Sequence, residues 1–267
     1  CKDHGADIID GVYKLAKYCG FKRVIIAVED NKPDAVKTLK ALADSDIVRG
    51  NLVRLMTLKS RYPQGAEKMM VLSATGRKVP EGALPADVGC IVSNVASVAF
   101  ISRYLKTGKP LISRSLTVSG DAVAEPKNIR VPVGMSVREA IEFCGGFSTE
   151  PYKVLLGGPM MGMTVEDLDV PIVKSNNAIL AFTEKGLGNK KRRDCIRCGR
   201  CHDACPMSLF PTEIEKYALQ GDGAELKKLG AGVCMECGSC AYSCPASKPL
   251  VQYMRLAKSV MREAGIK

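Results

Sequence analysis

The 267 residues include 39 lysines and arginines against 28 acidic residues, a formal charge of +11, with 46% hydrophobic content. That length suits about two domains at ~150 residues each, with apolar content enough for a core. No stretch approaches the ~18 uninterrupted apolar residues of a membrane span, since Ser93, Asn94 and Ser97 break the greasiest run, CIVSNVASVAFI from Cys90. The charge does not read as nucleic-acid binding either: tryptophan is absent and no aromatic residue interleaves the basic run.

Cys1 stands where an initiator methionine would be, and CKDHGADIIDGV reads as the middle of a helix rather than a leader, so an upstream part is expected. GVYKLAKYCG predicts a helix ending at Gly20, and KRVIIAVE a buried strand of β-branched residues. DNKP then caps a second helix, PDAVKTLKALADS, with Pro33 near its first turn, and NLVRLMTLKS returns as a strand. Strand, helix, strand in that order implies a mostly parallel sheet, the scaffold that binds nucleotides at the carboxyl ends of its strands. Glu29 and Asp30 stand at such an end, where turn and capping duty is preferred over ribose binding. No glycine-rich phosphate loop precedes this strand.

After Ile112 short segments punctuated by Gly and Pro predict strands, followed by a helix opening at Ser136 with Glu139 three residues on, a capping box. KVLLGGPMMGM adds a strand and a glycine-rich turn, with Met160, Met161 and Met163 read as core filling rather than metal ligands. KKRRD, residues 190–194, is the densest basic run. It reads equally as a solvated linker or as a docking surface for an acidic redox partner or anionic lipid headgroups.

Of the twelve cysteines, eight form two identically spaced arrays, CIRCGRCHDACP and CMECGSCAYSCP. In C-x2-C-x2-C three thiolates converge on one compact object, and Gly199 and Gly238 permit the positive φ that turns backbone N–H groups toward it. Pro206 and Pro245 follow the fourth cysteine and send it to the other cluster, as in two-cluster ferredoxins. The expected ligand sets are therefore Cys195, Cys198, Cys201 and Cys244 for one [4Fe–4S] cluster, and Cys234, Cys237, Cys240 and Cys205 for the second. Two zinc sites are the alternative, but zinc asks only for a tetrahedron and needs neither the third cysteine nor the proline. His202 is read as a solvent-facing loop residue, because eight cysteines complete both clusters. Cys1, Cys19, Cys90 and Cys144 lie apart in mostly apolar surroundings and read as buried free thiols in a reducing compartment. With +2 on each oxidised cluster against four thiolates, the net charge falls to about +7. Between the arrays, Pro211 opens a helix, Gly-Asp-Gly breaks it and a second short helical run follows.

EDNKP, YPQGAEK, LPADVGCIVSNVAS and the twin arrays together resemble the C subunit of the Rnf-type electron transport complex over essentially the whole chain. They are similar, more distantly, to the flavin- and NADH-binding subunit of respiratory complex I. The resemblance implies an α/β fold in three modules: a partial Rossmann-like FMN/NADH domain (1–112), a β-grasp, or soluble ligand-binding, module (113–183), then a basic linker (184–194) and an α-helical two-cluster ferredoxin domain (195–267). It implies flavin-side contacts at Gly65, Glu67 and Asn94. Ala66 replaces the first of two adjacent glutamates found near the nicotinamide in the complex I relatives, and Ser93 replaces one of two asparagines. It places the loop for the FMN phosphate upstream of Cys1, so these residues alone are not expected to be NADH-active. The β-grasp module is read as a spacer, with no polar ligand constellation. The implied function is that of a peripheral subunit on the cytoplasmic face of the membrane. NAD(H) exchanges a hydride with FMN, and the clusters relay single electrons to other subunits, including a ferredoxin-like iron–sulfur subunit. A cobalamin reductase of metabolic microcompartments is the enzyme alternative, and a zinc-binding structural module the non-enzyme one.

Overall fold

The computed structural model describes residues 4–44, 52–188 and 191–266. The chain separates into two units, Cys1–Pro110 and Leu111–Lys267.

In the first unit, helix α1 (Gly5–Cys19) buries Ile8, Ile9, Val12 and Ala16, one stripe at helical spacing, and stops at Gly20 with φ 70°. Strand β1 (Val24–Glu29), helix α2 (Pro33–Asp44) and strand β2 (Val53–Leu58) follow, and the strands pair in parallel from Val24↔Val53 to Glu29↔Leu58. Helices α3 (Glu67–Thr75) and α4 (Val95–Thr107) come after, with a 3-10 turn at Pro85–Val88 between them. Gly11 lets α1 and α4 touch: a Cβ there would stand 2.3 Å from the Val98 carbonyl oxygen. Asp10 ties the same pair, accepting hydrogen bonds from Ser102 on α4 and pairing with Lys14 at 2.9 Å and Lys106 at 3.1 Å. Burial opposes its ionisation, yet these donors lower its pKa to about 2. Asp30 has the expected turn duty, its carboxylate accepting from the Ser60 amide (3.0 Å) and hydroxyl (2.8 Å) after β2.

The second unit opens with strands β3 (Ser113–Ser119) and β4 (Lys127–Pro132), helix α5 (Val137–Glu142), and strands β5 (Lys153–Leu156), β6 (Met163–Val165) and β7 (Ala178–Phe182). The sheet order is β4-β3-β7-β5-β6, parallel only between β3 and β7. Its core joins Val118, Ile129, Ile179 and Ala181 from the strands to Val137, Ala140 and Ile141 of α5. Met161 and Met163 correct the reading of core filling: they are exposed, on the turn and short edge strand where, among the described residues, no second layer covers them.

Short helices follow: α6 (Glu184–Leu187), α7 (Arg200–Asp203), α8 (Pro211–Gln220), α9 (Gly223–Lys228) and α10 (Ser239–Tyr242). The long α11 (Leu250–Glu263) closes the chain. It buries Leu250, Met254, Ala257 and Met261, and the last three pack with Ile214 and Ala218 of α8 and Leu226 of α9.

The Ser136 hydroxyl accepts from the Glu139 amide at 3.1 Å while the Glu139 carboxylate accepts from the Ser136 amide at 2.8 Å, so the capping box is present. Ser136→Ala should cost about 1 kcal/mol, read as faster amide exchange in the first turn of α5. Unchanged protection there would remove the cap from the account of this helix.

Candidate metal centres

The two arrays repeat one backbone. The third residue of each first C-x2-C turn is left-handed without being glycine, Arg197 at φ 54° and Glu236 at φ 55°. In that conformation the Arg197 amide donates to Cys195 Sγ and the Glu236 amide to Cys234 Sγ, each at 3.4 Å. Gly199 (φ 76°) and Gly238 (φ 87°) then start α7 and α10. Beyond each Cys-Pro pair, Ser208 and Ser247 are again left-handed, and the amide of Leu209 donates to Cys205 Sγ at 3.4 Å. A left-handed non-glycine residue costs about 1–2 kcal/mol, so four of them at matching positions mark backbone set by what the loops enclose. Glycine spacing pointed to two of these turns; nothing in side-chain type revealed the other four.

The thiols meet across the arrays. One pocket is bounded by Cys205 of the first array together with Cys234, Cys237 and Cys240 of the second, and floored by Met254 of α11. Burial pushes the Cys240 thiol up to about 12, reinforced by repulsion from Cys234, Cys205 and Cys237. Burial also raises Cys234, with Cys205 and Cys237 adding to the rise and Lys258 opposing it. In the other set burial raises Cys201, and the repelling neighbours are Cys244 and Cys195. Thiols this crowded and this dry ionise together only around a multiply positive centre, which is what the iron core of a [4Fe–4S] cluster supplies. Among the described residues, no group of three or more His, Cys, Asp or Glu side chains is placed to hold a single metal ion. The donor set fits two clusters.

Other side chains hold the loops. Glu236 receives Arg255 at 2.9 Å and Lys258 at 2.8 Å from α11, and Lys258 also donates to the Cys234 carbonyl at 2.7 Å. Burial acts against the Glu236 charge, yet the two cations keep its carboxyl below the usual range. Glu215 on α8 is buried, with Lys248 at 2.9 Å and Arg192 at 3.6 Å. Arg192 also donates to the Tyr253 hydroxyl at 2.7 Å, and the Arg193 amide bonds the Ala246 carbonyl at 3.0 Å. The basic run is therefore fastened to the segment after Cys244, with Arg192 in a structural role; Lys190 lies outside the described residues. His202 corrects the reading of a solvent-facing loop residue: it lies in α7, stacked on Phe210 at 4.2 Å with Nδ1 2.9 Å from the Leu209 carbonyl oxygen. Of the lone cysteines, Cys144 is buried, Cys90 half-buried and Cys19 exposed, the last because it ends α1 on its outer face; Cys1 lies outside the described residues.

The flavin-side candidates lie in the first unit at helix starts. Gly65 lies in the turn before α3 with open space where a Cβ would project, Glu67 is the first residue of α3, and the Asn94 side chain caps α4 by accepting from the Ala96 amide at 2.9 Å.

Residues 1–103 match the Nuo51 FMN-binding domain, 115–164 the SLBB domain and 188–245 the 4Fe-4S dicluster domain. The C subunit of the "Proton-translocating ferredoxin:NAD(+) oxidoreductase complex" of Clostridium ljungdahlii is 44% identical over 97% of this chain and 56% of its own length. The chain belongs to the family of C subunits of ion-translocating ferredoxin:NAD(+) oxidoreductase complexes. In Rhodobacter capsulatus, the C subunit of the "Ion-translocating oxidoreductase complex" is 40% identical over 98% of this chain and 50% of its own length. The C subunit of the "Na(+)-translocating" complex of Acetobacterium woodii is 40% identical over 79% of this chain and 47% of its own. The chain thus spans about half the length of the relatives it matches. A chain of an NAD+-reducing [NiFe]-hydrogenase shares the fold, with a TM-score of 0.61 and 15% identity over 99% of this chain and 52% of its own. As for the family, the cofactors of these domains are FMN and [4Fe–4S] clusters. Among the described residues no helix is long and apolar enough to cross a membrane.

On the crossed assignment expected from the sequence, Cys205→Ala should mainly damage the cluster of the Cys234, Cys237 and Cys240 set, and Cys244→Ala the other, read from paramagnetic spectra of the reduced variants beside Cys198→Ala. Loss of one and the same signal in Cys205→Ala and Cys198→Ala would contradict the crossed arrangement. Glu215→Ala leaves Lys248 buried without its carboxylate and should destabilise the helical module by about 3–5 kcal/mol, visible as early release of iron in a denaturant titration. Glu215→Gln should lose less, since its amide oxygen still stands beside Lys248.

Proposed function

We propose that this chain is the flavin- and cluster-bearing part of a peripheral subunit, on the cytoplasmic face of the membrane, in a ferredoxin:NAD+ oxidoreductase complex. The observation that carries the reading is the crossed gathering of Cys205 with Cys234, Cys237 and Cys240 in a module that follows an FMN-binding domain. On this reading Cys195, Cys198, Cys201 and Cys244 hold one cluster and Cys234, Cys237, Cys240 and Cys205 the other. The clusters and FMN supply one-electron relay and hydride acceptance when bound.

The chain's own residues prepare both ends. Amides of Arg197, Glu236 and Leu209 are aimed at cysteine sulfurs and stabilise their negative charge. Burial of Cys237 and Cys240 keeps water from the second set. In the first unit Gly65 leaves room for a flat ligand, while Glu67 and Asn94 offer polar groups, and NAD(H) is the two-electron partner of that end. On the cluster side the partners are the other subunits of the complex, a ferredoxin-like iron–sulfur subunit among them.

The decisive experiment uses the full-length protein, isolated anaerobically. It should contain about eight irons, eight acid-labile sulfides and one FMN, and NADH should bleach its visible cluster absorbance. Glu67→Gln should slow that bleaching severalfold while leaving flavin content nearly unchanged. Stoichiometric zinc in place of iron, or iron centres that NADH leaves oxidised in the presence of bound FMN, would refute the reading.

A further inference from the structure

The duplicated arrays are an internal comparison, with the same backbone in opposite surroundings. The middle of the second array, residues 237–240, is closed. Cys237 and Cys240 are 7% and 9% exposed, and the Met160 carbonyl oxygen stands 3.1 Å from where a Gly238 Cβ would project, so the turn after β5 seats on that loop. The charge of Glu236 is met by Arg255 and Lys258.

The first half of the first array is open, while Cys201 and Cys205 farther on are half-buried. Residues 191–200 are all exposed, Cys195 and Cys198 among them, and Gly199 faces empty space where Gly238 faces Met160. Arg197 occupies the place of Glu236. Among the described residues no ion pair engages Arg197, Arg193 or Arg200. Two large apolar side chains stand out beside these arginines, Ile196 at 68% exposure and Tyr242 at 83%. The Ser243 hydroxyl donates to the Arg200 carbonyl at 3.3 Å and so keeps residues 242–244 next to the arginines.

We propose that the first array is the face through which the module exchanges electrons with an acidic one-electron carrier protein, while the second array serves as an interior relay. The inference rests on the reading of both arrays as cluster sites. A small apolar centre rimmed by cations is the anatomy of a protein docking patch, and unpaired arginines steer an acidic partner to it. Bare cysteine ligands at its centre place the metal core within short reach of the partner's own centre; a lipid surface has no use for that exposure. In the exchange one electron leaves one protein's reduced centre and enters the other's oxidised centre. No bond forms or breaks and no proton is required.

The test uses the full-length, cluster-loaded protein and an Arg193→Gln/Arg200→Gln double variant. The probe is a bacterial two-cluster ferredoxin of strongly negative net charge, mixed by stopped flow over a salt series. Reduced methyl viologen is the carrier-free control, and Lys216→Gln/Lys227→Gln the surface-charge control. With iron and sulfide content unchanged, the double variant should exchange with ferredoxin about tenfold more slowly at low salt and with a flatter salt dependence. Its reaction with methyl viologen and all rates of the lysine control should stay as in the parent. Absence of iron in the parent protein sinks the cluster reading before ferredoxin is added. Full clusters with an unchanged ferredoxin rate overturn the exchange face. So does lost adsorption to phosphatidylglycerol vesicles, or slowed NADH-driven cluster reduction, when either comes with undiminished ferredoxin exchange.

Discussion

The helical module depends on a single electrostatic constraint: thiols held close together where water is scarce cannot all be charged unless something strongly positive sits among them. The raised pKa values of Cys234 and Cys240 show the direction of that demand, since burial and mutual repulsion act in the same direction on both. The left-handed residues, the amides aimed at sulfur and the Lys258 contact with the Cys234 carbonyl all reduce the same cost. The packed α8–α11 pair then adjoins loops that have little regular structure of their own. Metal binding and folding are in this sense one equilibrium.

Duplication of the array made two sites, and the neighbours made them different. Glu236 and Arg197 occupy equivalent left-handed positions with opposite charges, one neutralised by α11 and the other, among the described residues, free of ion pairs. Crossing of the fourth cysteine couples the two: Cys205 and Cys244 each belong to one loop by sequence and lie beside the thiols of the other. A disturbance of either loop is therefore shared, which suits a relay whose two centres have to keep a fixed separation.

Legibility from sequence followed the kind of constraint involved. The first two helices and strands were readable because β-branched runs, Pro33 and Gly20 act locally, and the Ser136–Glu139 box is a contact between neighbours. The cysteine arrays were readable because spacing is itself geometry. Met161, Met163 and Cys19 were misread because exposure depends on which elements arrive later to cover a residue, and among the described residues none does. The stacking of His202 on Phe210 and the tie between Arg192 and Glu215 join residues through a loop or across α8, where no periodicity announces them.

The flavin-side residues show a deeper limit. Asn94 accepts a hydrogen bond from the Ala96 amide, and this is both what an N-cap does and what a polar residue beside a bound ligand looks like in sequence. Helix starts attract the same side chains for either duty, because both exploit backbone N–H groups that the helix leaves unpaired. Eight cysteines at fixed spacings have no such second explanation: packing needs no periodic thiols, and burial penalises their ionisation. The difference lies in the number of independent constraints each motif satisfies. It is why the cluster end of this chain is specified by its own residues, whereas the flavin end draws its meaning from the domain around it.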